Sequence, residues 1–145
     1  MNALEWEDPR KALARHGLTP KRSFSQNFLV ARGVVEAIAE AAVPAPGAHV
    51  VELGPGLGTL TSALLRRGAR VTAVERDRDM IAVLRADFAD RALEVIEADA
   101  AEIDLASLAK DSPFALAGNF IPRIRSYQSA VFATSSTEKC TWLNR

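Results

Sequence analysis

A single cysteine, Cys140, stands in this sequence of 145 residues, and that excludes a disulfide framework. The two histidines, His16 and His49, are far apart, and no Cys or His cluster has metal-ligand spacing. No apolar run approaches the roughly 18 residues that a membrane-crossing helix needs. The opening MNALEWEDPR is acidic, without the basic and then apolar regions of a signal peptide. A metal-free, cytoplasmic protein with no membrane partner is therefore expected. Net charge is also missing, because 18 basic and 18 acidic residues cancel.

That zero hides a segregation. Between Pro9 and Gly33 stand six bases, Arg10, Lys11, Arg15, Lys21, Arg22 and Arg32, with no acid, whereas residues 75 to 111 carry eleven acids against five bases. The basic end could meet phosphate or could be a plain solvated face. What is abundant is apolar character, at 48% of residues, enough for the core of one domain.

The order of elements is legible from period and punctuation. Asp8 before Pro9 predicts a helix start, and Gly17 stops that short basic helix. TPKRSFSQNFL is polar and turn-like, and Val34, Val35, Ile38 and Ala42 give the stretch from Ala31 to Ala42 a helical period. Strands are predicted at 49–53, 70–75, 93–98 and 114–120, with helices at 59–67 and 77–88 and a short helix or turn at 103–110. Short apolar runs alternating with helices argue a doubly wound, mostly parallel α/β sheet covered on both faces.

VVELGPGLGTLT, residues 50–61, followed by RVTAVERD at 70–77, carries the chemistry. Gly54 and Gly56 lack a Cβ, so the turn after the first strand can take positive φ and offer bare N–H groups to a ligand. Glu75 ends the next strand, at the carboxyl edge where open α/β sheets bind ligands, and can accept both hydroxyls of a ribose. A dinucleotide fingerprint, G-x-G-x-x-G, would place its third glycine at Thr59; here it is Gly58. G-x-G-x-G preceded by Glu52 is typical of S-adenosylmethionine-dependent methyltransferases. A carboxylate at Glu52 would suit a sulfonium cation and repel a pyrophosphate. The glycines could instead form only a tight turn, and Glu75 and Asp99 could be helix N-caps. Their place at successive strand ends favours a shared ligand.

With LTPKRSFSQNFL, VVELGPGLGTLT, VTAVERDRDM and VIEADAAEIDL in order, residues 18–119 resemble the ribosomal-RNA adenine N6-dimethyltransferases. Macrolide-resistance adenine methyltransferases and mitochondrial transcription-factor relatives share that core. The resemblance implies an S-adenosyl-L-methionine cofactor and a Rossmann-like fold. It implies that Gln26, Asn27 and Phe28 fold over the cofactor, that Gly54, Gly56 and Gly58 line it, that Glu75 holds its ribose and that Asp99 accepts its adenine amine. The small ribosomal subunit and its RNA are the implied partners, with Arg10, Lys11, Arg15, Lys21 and Arg22 as phosphate contacts. Residues 1–30 would then be a basic extension with a cofactor-covering loop, 31–120 the cofactor-binding core and 121–145 a divergent tail.

Catalysis in the resembled family lies in an Asn, apolar, Pro, aromatic motif after strand four. Asn119 would border the cofactor and accept hydrogens of the target amine, localising its lone pair toward the methyl group, so that orientation does more than a strong base. Here Asn119 is followed by Phe120, Ile121, Pro122 and Arg123, so the proline comes one residue late and no aromatic follows it. Composition also changes, the last 20 residues holding four of nine serines, the only tyrosine and the only cysteine. The expectation is the N-terminal half of such an enzyme, truncated after strand four, with a foreign tail such as a shifted reading frame would produce. Strand four would be left as an edge that invites self-association. Two other functions stay open, a catalytically inactive cofactor- or RNA-binding fragment and a small-molecule methyltransferase.

Overall fold

Runs such as HVVEL and RVTAVE, rich in β-branched residues, form the centre of one sheet in the computed structural model, which describes residues 4–21, 31–104, 107–108, 114–118, 130–134 and 141–143. The strands are β1 (His49–Leu53), β2 (Arg70–Glu75), β3 (Leu93–Glu97), β4 (Phe114–Gly118), β5 (Ala130–Thr134) and β6 (Thr141–Leu143). The helices are α1 (Pro9–Arg15), α2 (Arg32–Ala42), α3 (Thr59–Arg66) and α4 (Arg78–Asp87). Helix starts follow the local chemistry. Asp8 accepts the Arg10 N–H with Pro9 in the first turn of α1, and Asp77 accepts the Asp79 N–H at the start of α4.

The sheet order is β3-β2-β1-β4-β5-β6. β1, β2, β3 and β4 pair in parallel, and β1 sits between β2 and β4, so the strand order reverses at β1. Ligands of open α/β sheets bind beyond the carboxyl ends of the strands at such a switch point. Alternation along each strand sorts side chains to two faces. Val50, Val71, Ala73, Ala115 and Ala117 pack under α2 and α3, with Leu64 of α3 fully buried among them. Val51, Leu53 and Val74 face the other way, against Ala98, Ala100, Ile103 and Leu108 from the segment after β3. Both faces are covered, as the apolar runs predicted.

One expectation is overturned. β4 is not an edge, because β5 pairs antiparallel with it over Phe114 to Gly118, and β6 pairs antiparallel with β5. The parallel part of the sheet does end at β4, but β5 takes up the N–H and C=O groups that self-association through β4 would require. β3 and β6 form the edges. α1 lies apart from the sheet, its Ala12 and Leu13 packed on Leu57 of the glycine turn and on Met80 and Val83 of α4.

Candidate adenosyl site

Three glycines after β1 do three different jobs. Gly54 (φ 67°) continues the pairing of β1, its N–H donating to the Val74 carbonyl at 2.9 Å, and among the described residues a Cβ built on it would meet nothing within 4 Å. It is the open position. Gly56 (φ 57°) donates its N–H to Glu75 Oε2 at 3.0 Å. Gly58 (φ 84°) precedes α3, and a Cβ there would lie 2.5 Å from Cε2 of Phe88 and 3.0 Å from Cδ2 of Leu84. The third glycine thus serves the approach of α4 rather than a ligand-facing surface.

Glu75 ends β2 and is buried. Besides the Gly56 N–H, its carboxylate accepts the N–H groups of Arg76 at 2.9 Å and Asp77 at 3.0 Å, both on Oε1. A carboxylate offers about four acceptor directions, so three are engaged by the protein's own backbone. The acid expected to hold a ribose also ties the turn after β1 to the turn after β2.

Asp99 follows β3 and combines the two roles the sequence left open. Its Oδ1 accepts the Ala101 N–H at 2.9 Å, as a turn-capping aspartate does. Oδ2 accepts from Arg76 Nη1 at 3.3 Å, a link between the ends of β2 and β3. Glu75, Arg76 and Asp99 therefore form a rim of charged groups along the carboxyl edge.

Glu52 departs from its expected place beside a sulfonium. It shares the phase of Val50 and so points beneath α3, where it is 1% exposed and accepts the Thr61 hydroxyl at 2.6 Å. Burial pushes its carboxyl up to about 8; the Thr61 hydrogen bond opposes that shift and the nearby Glu75 carboxylate adds to it. Near neutral pH it is mostly the uncharged acid, a brace between β1 and α3 rather than a counter-charge.

The basic segment meets the acids that the sequence had separated from it. Arg10 pairs with Asp8 at 2.5 Å, holding that carboxyl down to about 2. Arg15 bridges Glu7 at 2.8 Å and Asp87 at 2.9 Å, and His16 lies 3.1 Å from Asp87. Lys21 bonds Asp77 at 3.1 Å and also Asp79. Lys11 is exposed on α1. A cavity of about 520 Å³ opens beside α1, lined by Trp6, Lys11, Gly58, Thr59 and Phe88 among others, but by neither Glu75 nor Asp99. Gln26, Asn27, Phe28, Arg22 and Asn119 lie outside the described residues. Sequence reasoning missed Thr61, Arg76 and the partner role of Asp77; a hydroxyl nine residues after a strand acid is the sole signal that could have found Thr61.

The model of a protein family described as ribosomal RNA adenine dimethylase matches residues 17–130. A ribosomal RNA small subunit methyltransferase A of Anaeromyxobacter sp. (strain K) is 50% identical over 119 residues, covering 82% of this chain and 42% of that protein. The Deinococcus radiodurans protein of the same name is 40% identical over 136 residues, 90% of this chain and 47% of its own length. The chain thus spans less than half the length of these curated relatives. Among solved structures, the 23S rRNA methyltransferase ErmE matches with TM-score 0.50 and 27% identity, over 65% of this chain and 48% of that one.

Proposed function

The chain belongs to the ribosomal RNA adenine dimethylase family, and from that premise we propose that it carries the S-adenosylmethionine site of an enzyme that dimethylates adenine N6 in small-subunit ribosomal RNA, in the cytoplasm. The observation that carries the reading is that Gly54 and Glu75 border the same turn. Gly54 holds a left-handed turn at the switch point with no described residue within 4 Å of where its Cβ would be, and the buried Glu75 faces the same turn through Gly56. That arrangement fits an adenosyl group, with a ribose against Glu75 and an adenine amine against Asp99.

Each residue then has a task in binding or orientation. Glu75 keeps one acceptor direction beyond its three amides, and Oε2, with a single amide, is the oxygen a ribose hydroxyl would share. Asp99 would exchange the 3.3 Å contact with Arg76 for the adenine amine. Glu52, uncharged, keeps α3 seated so that the turn holds its shape. Bound cofactor would supply an electrophilic methyl group on its sulfonium. Asn119 comes in the sequence directly after Gly118, the strand partner of Leu53. Its task is to accept hydrogens of the target amine, and that of Gln26, Asn27 and Phe28 is to cover the cofactor.

Calorimetric titration with S-adenosylmethionine, followed by transfer of labelled methyl groups to undermodified ribosomal RNA, tests the reading. Binding is expected, and its absence would remove it. Asn119→Ala should abolish any transfer while leaving cofactor affinity nearly intact; equal rates would show that the motif is not catalytic here. A second reading rests on the displaced Pro122, since a misplacement of about 1 Å can cost on the order of 100-fold in rate. Binding without transfer would support that reading of a noncatalytic cofactor-binding chain.

A further inference from the structure

We propose that Lys21 is a positioning residue for the adenosyl site, acting through Asp77 on Glu75, rather than a contact to RNA phosphate. The proposal rests on the cofactor reading of Glu75. Asp77 caps α4 with Oδ1, which accepts the Asp79 N–H at 2.9 Å, yet its side chain is only 2% exposed. A buried carboxylate is costly unless an opposite charge meets it. Lys21 supplies that charge, its Nζ lying 3.1 Å from Asp77 Oδ1 and bonding Asp79 Oδ2 as well. A lysine ammonium, a point charge with three rotatable donors, can serve two carboxylates at once.

The other side of Asp77 reaches the site. Its main-chain N–H donates to Glu75 Oε1 at 3.0 Å, and Glu75 Oε2 accepts the Gly56 N–H at 3.0 Å. One unbroken run of hydrogen bonds therefore leads from Lys21 through Asp77 and Glu75 to the glycine turn. Without the ammonium, the buried Asp77 carboxylate loses the opposite charge of Lys21, and turning toward water would relieve it. That movement would withdraw the Asp77 N–H from Glu75 and loosen the carboxylate's hold on Gly56. A lysine engaged by two carboxylates also has little field left for a phosphate, whereas the exposed Lys11 keeps its own.

The test compares the full chain with Lys21→Met and Lys21→Arg, each also in a Glu75→Gln background. Amide hydrogen exchange at Gly56 and Asp77 reads the relay without any ligand, and calorimetry with S-adenosylhomocysteine reads its consequence. Lys21→Met should lower Gly56 protection by about tenfold and raise the dissociation constant by about fivefold, while Lys21→Arg restores both. In the Glu75→Gln background, Lys21→Met should add nothing further, because the route is already cut. Lys21→Gln serves with the same expected direction where Lys21→Met does not fold. Unchanged Gly56 protection overturns the proposal, as do losses that simply add to those of Glu75→Gln. Protection that falls in a chain whose wild type binds no S-adenosylhomocysteine supports the relay and overturns the cofactor reading instead.

Discussion

The interior of β1 and the tip of β2 each bury one glutamate, and the two behave as different chemical groups. Glu52 meets a hydroxyl beneath α3 and is pushed toward its neutral form; Glu75 meets three backbone N–H groups at a strand end that opens on the switch point. Both look alike in sequence, an acid among β-branched neighbours. What separates them is strand phase and position, since Glu75 is the last residue of β2 and reaches the loops, while Glu52, one residue before the end of β1, points to the helix above it. The lesson is that partners, not residue type, decide what a buried charge does.

Glu75→Ala should break this contrast with the largest effect. It leaves three amides without their acceptor, at about 1–3 kcal/mol for each that stays dry, so a loss of about 4 kcal/mol in chemical denaturation is expected. If Glu75 also holds the ribose, the S-adenosylmethionine dissociation constant rises by about 100-fold. An unchanged constant alongside the lost stability would make Glu75 a brace like Glu52 and remove the ribose assignment.

Glu52 predicts the next largest effect, and it is one of pH. Its folded value, raised to about 8 from 4.5, means that the folded chain binds this proton more tightly than the unfolded chain. Stability is therefore lost as pH rises through the window between 4.5 and 8, at up to about 1.4 kcal/mol per pH unit. Glu52→Gln keeps an amide for Thr61 and carries no charge at any pH. Melts of the two proteins at pH 5 and 7 should converge at the acid end and separate by about 2–3 kcal/mol at the neutral end. Parallel curves would show that Glu52 is ionised and hydrated after all.

The strand and helix order, the glycine turn and the acids at the ends of β2 and β3 were legible in the sequence because each is a local pattern. Val71 to Val74 is a strand from its own residues, and Asp8 with Pro9 starts a helix wherever it occurs. The direction of Glu52 was not legible, because it depends on which face of β1 the helix α3 covers. Nor were the pairs of Arg15 with Asp87 and Lys21 with Asp77, which join residues 72 and 56 positions apart. β5 and β6 escaped because AVFATSSTEKCTWLNR, which contains both, has no Gly, Pro or Asn between the two short runs to announce a turn.

Gly58 and Gly54 repeat the contrast between brace and ligand surface within a single turn. Gly58→Ala must place a methyl 2.5 Å from Phe88 at a φ of 84°, a combined cost of about 2 kcal/mol of stability. Gly54→Ala meets no clash and carries only the left-handed strain of about 1 kcal/mol, but its methyl would fill the space offered to the cofactor. Thermal melts and calorimetry should therefore sort the pair in opposite directions. Equal losses of affinity would mean that both glycines shape the turn and neither faces the ligand.

Among cations the same distinction predicts the smallest effect. Arg15 and Lys11 lie one turn apart on α1 and both are exposed, but Arg15 bridges Glu7 and Asp87, whereas among the described residues Lys11 makes no salt bridge. The Asp87 carboxyl shows the difference from its side. Burial pushes it up, yet hydrogen bonds from Arg15 and His16 outweigh that and hold it below its ordinary value. If α1 meets RNA, of these two only the cation without a carboxylate bridge should release counterions when it binds. Lys11→Ala should then reduce the slope of log affinity against log salt by about 0.7–0.9, the contribution of one phosphate contact. Arg15→Ala should leave that slope unchanged and lower stability by about 1 kcal/mol or less, as for a partly exposed pair. A slope that falls equally in both variants would mean that RNA draws Arg15 away from its carboxylates. The charge segregation of the sequence would then describe the bound state better than the free one.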